Sequence, residues 1–467
     1  MKNKKRLFIF LLVCLSFFLL CFYIKDSDYY WHIKAGEKML EEGILTKDIF
    51  SWYMSGKYWM SHEWLFEVTI AFLRNVFGSL HMIIYPFICI LSLLSILFFS
   101  NKEGFYKNTL FSLGWITLFI FIITGFVQVR PHMISFCFVG ITMYLLFDLY
   151  KNNDSKKIWF LPLLGILWSN FHGGSSSLIY IFCFIFFICG LFKFKFSKIE
   201  SSRINKKVLN TYLIVGILCI ISLCFNPHGF KMVMYPYINL GDTLMISNIS
   251  EWQPTVLSKS SHYAYFIVVI VIGSIFLLSK KKIKFLDLVL FGVCVFLGLK
   301  SIRFWPYTYI IMSFVVFDYI PERKDDKGTG IIMLVLGCLF LLPFIFSYGD
   351  IVSRVESSNL NEKMISTIKK ESPKRLYNMY DYGGELIYND IDVFIDGRAD
   401  LYSGYNYEDY LNISYLEKDY VKLINKYKFD YFLVNEKYPI YTYLKYNSNY
   451  ELIYKYKKIY LYKEKRT

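Results

Sequence analysis

The chain has 467 residues, 55% of them hydrophobic and 20% aromatic, with a mean hydropathy of +0.38, which is more apolar surface than one water-soluble core buries and excludes most soluble folds. The formal net charge of +15 does not point to nucleic acid, because the basic residues fall in short loops between apolar runs and in a Tyr/Lys-rich tail, with no nucleic-acid-binding motif. The ten cysteines all lie within apolar runs, without CxxC or Cys/His metal spacing, and read as small core hydrophobes.

The apolar runs are about 13 to 20 residues long, the length that a bilayer core imposes on a helix. In chain order they predict spans near 7–24, 80–100, 109–126, 132–149, 158–170, 175–192, 208–225, 262–279, 284–299, 304–319 and 330–347. Lys2, Lys4, Lys5 and Arg6 precede the first, which is long and lacks a small-residue cleavage site, so it reads as a signal anchor with a cytoplasmic N-terminus. Alternation then puts Lys102/Lys107, Lys151/Lys156/Lys157, the run 193–207, Lys280 to Lys284 and Arg323/Lys324/Lys327 in the cytoplasm, as the positive-inside rule demands. The fold class is a polytopic α-helical membrane protein of about eleven spans, N-terminus in and C-terminus out. Residues 1–347 form the transmembrane domain and 348–467 an extracytoplasmic mixed α/β domain.

The first outer loop, 25–79, is long. It opens with an amphipathic stretch, Tyr29–Glu42, and closes with an apolar one, Trp64–Phe77, broken by Glu67 and Arg74; both predict helices lying along a membrane surface. A second outer loop spans 226–261. In the tail, Asn361–Lys370 predicts a helix and Val393–Ile395 and Tyr431–Val434 predict strands. No internal repeat is present, and the one polar linker is Glu322–Thr329.

With this topology the unusual polar residues gather on the outer face. They are Asp26-Ser27-Asp28 with Trp31-His32, Ser61-His62-Glu63-Trp64, Arg130-Pro131-His132, Asn170-Phe171-His172-Gly173-Gly174, Asn226-Pro227-His228-Gly229, Glu251-Trp252, Lys300 with Arg303, Tyr380-Asp381-Tyr382-Gly383 and Asp396-Gly397-Arg398-Ala399-Asp400. Each has a plain reading: histidines and asparagines cap helices, Arg130 snorkels, tryptophans anchor at the interface, and Asp381 and Asp396 sit in turns. The plain readings do not account for the asymmetry, since inner loops of similar length hold almost no histidine, tryptophan or glycine pairs. A shared outer site does. Its carboxylates can take a proton as general base, and its cationic groups can stabilise a leaving phosphate.

The position of Asp26-Ser27-Asp28, just after the first span in a long outer loop, resembles the acidic motif of the GT-C superfamily, which includes protein mannosyltransferases, oligosaccharyltransferase catalytic subunits and aminoarabinose transferases. The run from Asp28 through Gly36 to Gly43, then Asp48-Ile49-Phe50-Ser51 and His62-Glu63-Trp64-Leu65, looks like uncharacterised bacterial multispan proteins of that superfamily. Tyr380-Asp381-Tyr382-Gly383 weakly resembles the acceptor-binding Trp-Trp-Asp-Tyr-Gly motif of oligosaccharyltransferases but lacks both tryptophans. The resemblance implies a plasma-membrane enzyme that inverts as it transfers a sugar from a polyprenyl-phosphate donor to an extracytoplasmic cell-envelope glycan, lipid or protein. The chain carries no GxGxxG or GxxxxGK[ST] segment for a nucleotide donor.

On this reading Asp28 is the general base, with Asp26 as alternative and Glu63 in support. Arg303 and Arg130, then Lys300 and His172, are the candidates for the donor phosphate. His32, His62, His132, Asn170, His228, Glu251, Asp381, Asp396, Arg398 and Asp400 are candidates for substrate contact. Whether a divalent cation, Mg²⁺ or Mn²⁺, sits on Asp26 and Asp28 stays open. The competing classes are a secondary transporter and a non-catalytic envelope-assembly protein. A transporter is expected to carry ionisable groups near mid-membrane, whereas Asp148, Asp287 and Asp318 fall at predicted inner ends.

Overall fold

The computed structural model describes residues 2–154, 156–239, 243–321 and 329–465. Arg323, Lys324 and Lys327, with most of the Glu322–Thr329 linker, lie outside the described residues. The chain divides into two compact units: Met1–Ile24, Ser79–Ile238 and Ile246–Val355 form one, and Lys25–Gly78, Asn239–Met245 and Glu356–Thr467 the other.

The first unit is helical because a backbone in lipid has no solvent to bond with and must satisfy its own N–H and C=O groups. Every apolar run of the sequence contains a helix: Lys2–Leu20, His81–Ser100, Thr109–Ile123, His132–Asn152, Leu161–Phe171, Leu178–Leu191, Lys206–Ser222, Tyr263–Leu278, Phe285–Lys300, Trp305–Ser313 and Thr329–Glu356. Among the described residues, 6 helical runs are long and apolar enough to cross a membrane: Trp64–Ser100, Thr109–Phe126, His132–Asn152, Gly173–Leu191, Ser260–Leu278 and Ile331–Arg354. Arg6–Leu20 is a shorter apolar helix. His132–Asn152 lies at the centre, packed against His81–Ser100 and Trp305–Ser313. At the periphery, Leu278 and Phe346 each leave 82% of their surface uncovered; long apolar runs with such exposure suit a hydrocarbon surround. A small sheet of Phe194–Phe196, Ile199–Ser201 and Ile283–Lys284 joins three loop segments of this unit.

The second unit joins the first long loop to the tail. Helices Tyr29–Glu42 and Trp64–Phe77 form as the periodicity predicts and pack closely on each other through Gly36, where a Cβ would stand 2.0 Å from the Glu67 carbonyl oxygen. Only glycine allows that backbone approach. The tail builds a four-stranded sheet in the order Leu376–Asn378, Tyr431–Asn435, Ile459–Glu464, Tyr450–Tyr456, with the first pair parallel and the others antiparallel. The predicted helix at Asn361–Lys370 appears as Glu362–Glu371, capped by the Asn361 side chain on the Met364 N–H.

The predicted strand Val393–Ile395 does not form. Val393 makes a single parallel bridge to Ser51, and side-chain amides take the place of a ladder. Asn378 accepts from the Phe394 N–H at 2.8 Å and donates to the Ile395 carbonyl at 2.7 Å, while Asn406 donates to the Phe394 carbonyl at 2.9 Å. The run is apolar and buried, with β-branched Val393 and Ile395 about Phe394, as in a strand, but its backbone groups are satisfied sideways.

Candidate functional site

Each unit holds a cluster of the predicted residues. In the second unit Asp28 occupies the residue before helix Tyr29–Glu42, yet its side chain makes no capping hydrogen bond. Its backbone N–H donates instead to Asp26 Oδ1 at 3.1 Å. Both carboxylates are buried. Asp28 packs directly on the loop Asp396-Gly397-Arg398: a Cβ on Gly397 would fall 1.9 Å from Asp28 Oδ1 and 2.8 Å from Trp31 Nε1. The indole N–H of Trp31 is buried with no hydrogen-bond partner, so a donor and a carboxylate converge above one α-carbon.

One turn further on, His32 lies between two carboxylates. Its Nδ1 is 3.2 Å from Glu67 Oε1 and its Nε2 3.7 Å from Glu63 Oε2. Glu63 and Glu67 are four residues apart at the head of helix Trp64–Phe77, which places them on one face. His62 approaches the same group, with Nε2 3.2 Å from Glu63 Oε1 and Nδ1 4.0 Å from Asp400 Oδ2. Burial works to lower the His62 pKa, but the Glu63 carboxylate, with Asp400 and Glu67, outweighs it and raises the value to about 9. Burial pushes the Glu67 carboxyl up, against the hydrogen bond and charge of His32.

Asp396 and Arg398 are closed into a separate buried network. Arg398 Nε donates to Asp396 Oδ1 at 2.8 Å and its Nη2 to Asp396 Oδ2 at 2.6 Å, while Nη1 reaches Asp48 Oδ1 at 2.7 Å. The guanidinium lies over Trp59 and Phe50, and Tyr402 donates to Asp396. With every side of Arg398 occupied inside the unit, this network fixes the Gly397 loop. Tyr380 Oη also bonds the Gly397 carbonyl at 3.0 Å, whereas its neighbour Asp381 is exposed on a short 3₁₀ turn.

In the first unit the cluster centres on His172, which is buried. Arg303 Nη2 is 3.1 Å from His172 Nε2. A guanidinium only donates, so Nε2 accepts, and the ring proton sits on Nδ1, facing Ser135 Oγ at 2.7 Å and Ser175 Oγ at 2.9 Å. The Trp168 indole N–H donates to both hydroxyls at 3.0 Å. The Arg303 guanidinium lies over the Trp252 ring at 5.2 Å. His172 and Trp252 thus hold Arg303 in place while it remains partly exposed.

Other predicted residues of this unit do local work. His132 Nε2 bonds the Phe126 carbonyl at 2.9 Å. Asn170 Nδ2 ties the Ile166 and Phe225 carbonyls together at 2.7 and 2.9 Å. Asn226 Oδ1 accepts from the His228 N–H at 2.7 Å, the Arg130 carbonyl accepts from Tyr85 Oη, and the Glu251 carbonyl accepts from Ser301 Oγ. Lys300 ends helix Phe285–Lys300 and is exposed.

Sequence reasoning missed three contributors. Glu67 carried a signal, as the acidic residue one turn after Glu63 in an otherwise apolar helix. Asp48 and Gly397 carried none beyond their motifs, because their partners are far away in sequence.

The apolar helices long enough to cross a membrane mark a multi-pass helical membrane protein. No family model matches the chain, and no curated protein matches it in sequence. Among solved structures it is similar to the oligosaccharyltransferase AglB of Archaeoglobus fulgidus in complex with an inhibitory peptide and a dolichol-phosphate, with a TM-score of 0.54 and 12% identity over 92% of this chain and 70% of that one. The A. fulgidus oligosaccharyltransferase tethered by a disulfide to an acceptor peptide containing the NVT sequon gives 0.52 and 11% over 91% and 68%. Its apo form gives 0.51 and 12% over 93% and 69%.

Proposed function

We propose that this chain is a membrane glycosyltransferase that moves a sugar from a polyprenyl-phosphate donor to an acceptor outside the cytoplasm, inverting at the anomeric carbon, with Asp28 as general base. The observation that carries the proposal is the Asp28 carboxylate itself: buried at the head of a helix, making no cap, and packed on Gly397 beside the unpartnered Trp31 N–H. The GT-C-like fold supports it, since the A. fulgidus protein of similar fold is an oligosaccharyltransferase seen with a dolichol-phosphate and with an acceptor peptide.

In this reading the acceptor's nucleophilic group gives its proton to Asp28 and attacks the anomeric carbon. The bond from that carbon to the phosphate oxygen breaks, and polyprenyl phosphate leaves with the electron pair. Asp26 is engaged with the Asp28 backbone, which favours Asp28 as the base and leaves Asp26 as its alternative. Glu63 and His62 set the local charge. Arg303, oriented by His172, is assigned to the donor phosphate, for which its planar fork of donors is suited; Arg130 and Lys300 are secondary candidates. Asp396 and Arg398 act by positioning the Gly397 loop.

The topology that goes with this function has about eleven spans, a cytoplasmic N-terminus and the tail outside a plasma membrane, as the lysine-rich loops require. A transporter is disfavoured by the placement of Asp287 in the first turn of its helix and of Asp318 in a terminal 3₁₀ turn paired to Lys284. Deleting the gene and profiling envelope glycans and lipid-linked sugars by mass spectrometry tests the proposal. The account expects one polyprenyl-linked sugar to accumulate and one glycosylated product to vanish; unchanged profiles of both contradict it.

A further inference from the structure

Among the described residues, the only group of three or more histidine, cysteine, aspartate or glutamate side chains whose ligand atoms converge is His32, Glu63 and Glu67, in which one atom from each lies within 4.8 Å of the others. The predicted pair Asp26 and Asp28 forms no such group with its neighbours. We propose that His32, Glu63 and Glu67 bind a divalent transition-metal ion through one imidazole nitrogen and two carboxylate oxygens.

Three features of the cluster support this. The donor set, nitrogen with two hard oxygens, is one that Zn²⁺ or Mn²⁺ accepts. Glu67 Oε2 is buried in a side chain only 1% exposed and has no hydrogen-bond partner, although a buried polar oxygen ordinarily has one. Glu63 already has an outer partner on its other oxygen, His62 at 3.2 Å, the arrangement that orients a ligating carboxylate. The rings of Trp31 and Phe66 flank His32 at 3.6 and 5.2 Å and shield the position from bulk water. A tetrahedral Zn²⁺ with bonds of about 2.1 Å would set its ligands about 3.4 Å apart, so the separations of up to 4.8 Å have to shorten on binding. The competing arrangement is a metal-free imidazolium bridging the two glutamates.

This inference does not rest on the glycosyltransferase reading, because it is measured as metal content. Full-length protein in detergent, stripped with a chelator and titrated with MnCl₂ alone, is expected to bind a single tight Mn²⁺ whose electron spin-echo spectrum shows nitrogen modulation from an imidazole. Glu67→Gln and His32→Gln are each expected to weaken binding by more than about ten-fold, the scale on which even the outer partners of metal ligands act, and His32→Gln to abolish the modulation. Circular dichroism checks that the variants fold. Should Glu67→Gln fail to fold, the wild-type nitrogen signal decides: its absence overturns the proposal. The proposal is equally overturned if wild type binds no ion, if binding survives both substitutions, or if Asp28→Asn rather than Glu67→Gln removes it.

Discussion

Gly397→Ala adds one methyl group to the loop against which Asp28 rests. The new Cβ would stand 1.9 Å from Asp28 Oδ1, 2.4 Å from its Cγ and 2.8 Å from Trp31 Nε1, whereas ordinary contact begins at 3.4 Å. The carboxylate must therefore retreat by more than an ångström or the loop must lift. The loop is held by the Arg398 ion pairs to Asp396 and Asp48 at 2.6 and 2.7 Å, so the Asp28 side chain is the softer partner. Overpacking of this kind costs about 1–3 kcal/mol of stability, which leaves a folded protein, while a misplacement of about 1 Å in a reacting group costs about 100-fold in rate. The assay is transfer of radiolabelled sugar from lipid-linked donor in membranes, with expression and melting followed in parallel. Gly292→Ala is the control, since nothing lies within 4 Å of its added Cβ, and it should transfer at the wild-type rate. A folded Gly397→Ala protein that also transfers at the wild-type rate refutes the placement of Asp28 at the reacting centre.

Arg398→Met removes the cation between two fully buried carboxylates and should destabilise the loop-and-tail unit by about 3–5 kcal/mol, as breaking a buried pair does; limited proteolysis of the tail reads it. Arg303→Ala should raise the apparent KM for donor by about 10- to 100-fold, the worth of about 1.5–3 kcal/mol for a hydrogen bond to a charged group, and Arg303→Lys should restore little of it. His172→Gln should give a smaller rise of the same kind, and an unchanged KM there would remove its positioning role. Glu371, which accepts from Tyr431 Oη and Lys463 Nζ at 2.6 and 2.9 Å, has its carboxyl held below its ordinary 4.5 by those two bonds. Its contribution to stability is complete above pH 4.5 and is lost as pH falls through the lower folded value, so Glu371→Gln should lower the melting temperature slightly at neutral pH and converge with wild type once the carboxyl is protonated, which flattens the acid limb of the curve.

The membrane helices were legible because lipid imposes a length and composition on each span, and every apolar run from Lys2–Leu20 to Thr329–Glu356 contains a helix. The loop helices Tyr29–Glu42 and Trp64–Phe77 were legible for a related reason, since their periodicity is local. Val393–Ile395 was misread because its apolar, β-branched character reports burial, while the partner that decides strand or loop is the Asn378 amide. In the candidate site, Asp26, Asp28, His32, His62 and Glu63 stand out as motifs, but their grouping depends on Gly36 meeting the Glu67 backbone and on Gly397 meeting Asp28. Arg398 read as a substrate contact because its partner Asp48 lies 350 residues away, beyond any local pattern.

The central claim is that Asp28 takes the acceptor's proton, and Asp28→Asn isolates it. Asparagine keeps the size and polarity of the side chain and serves equally well at a helix N-terminus, but it cannot act as a base. Purified Asp28→Asn protein, folded and binding donor as wild type does, is expected to transfer sugar about 10²- to 10⁴-fold more slowly. Transfer at the wild-type rate would contradict the account and pass the role of base to Asp26.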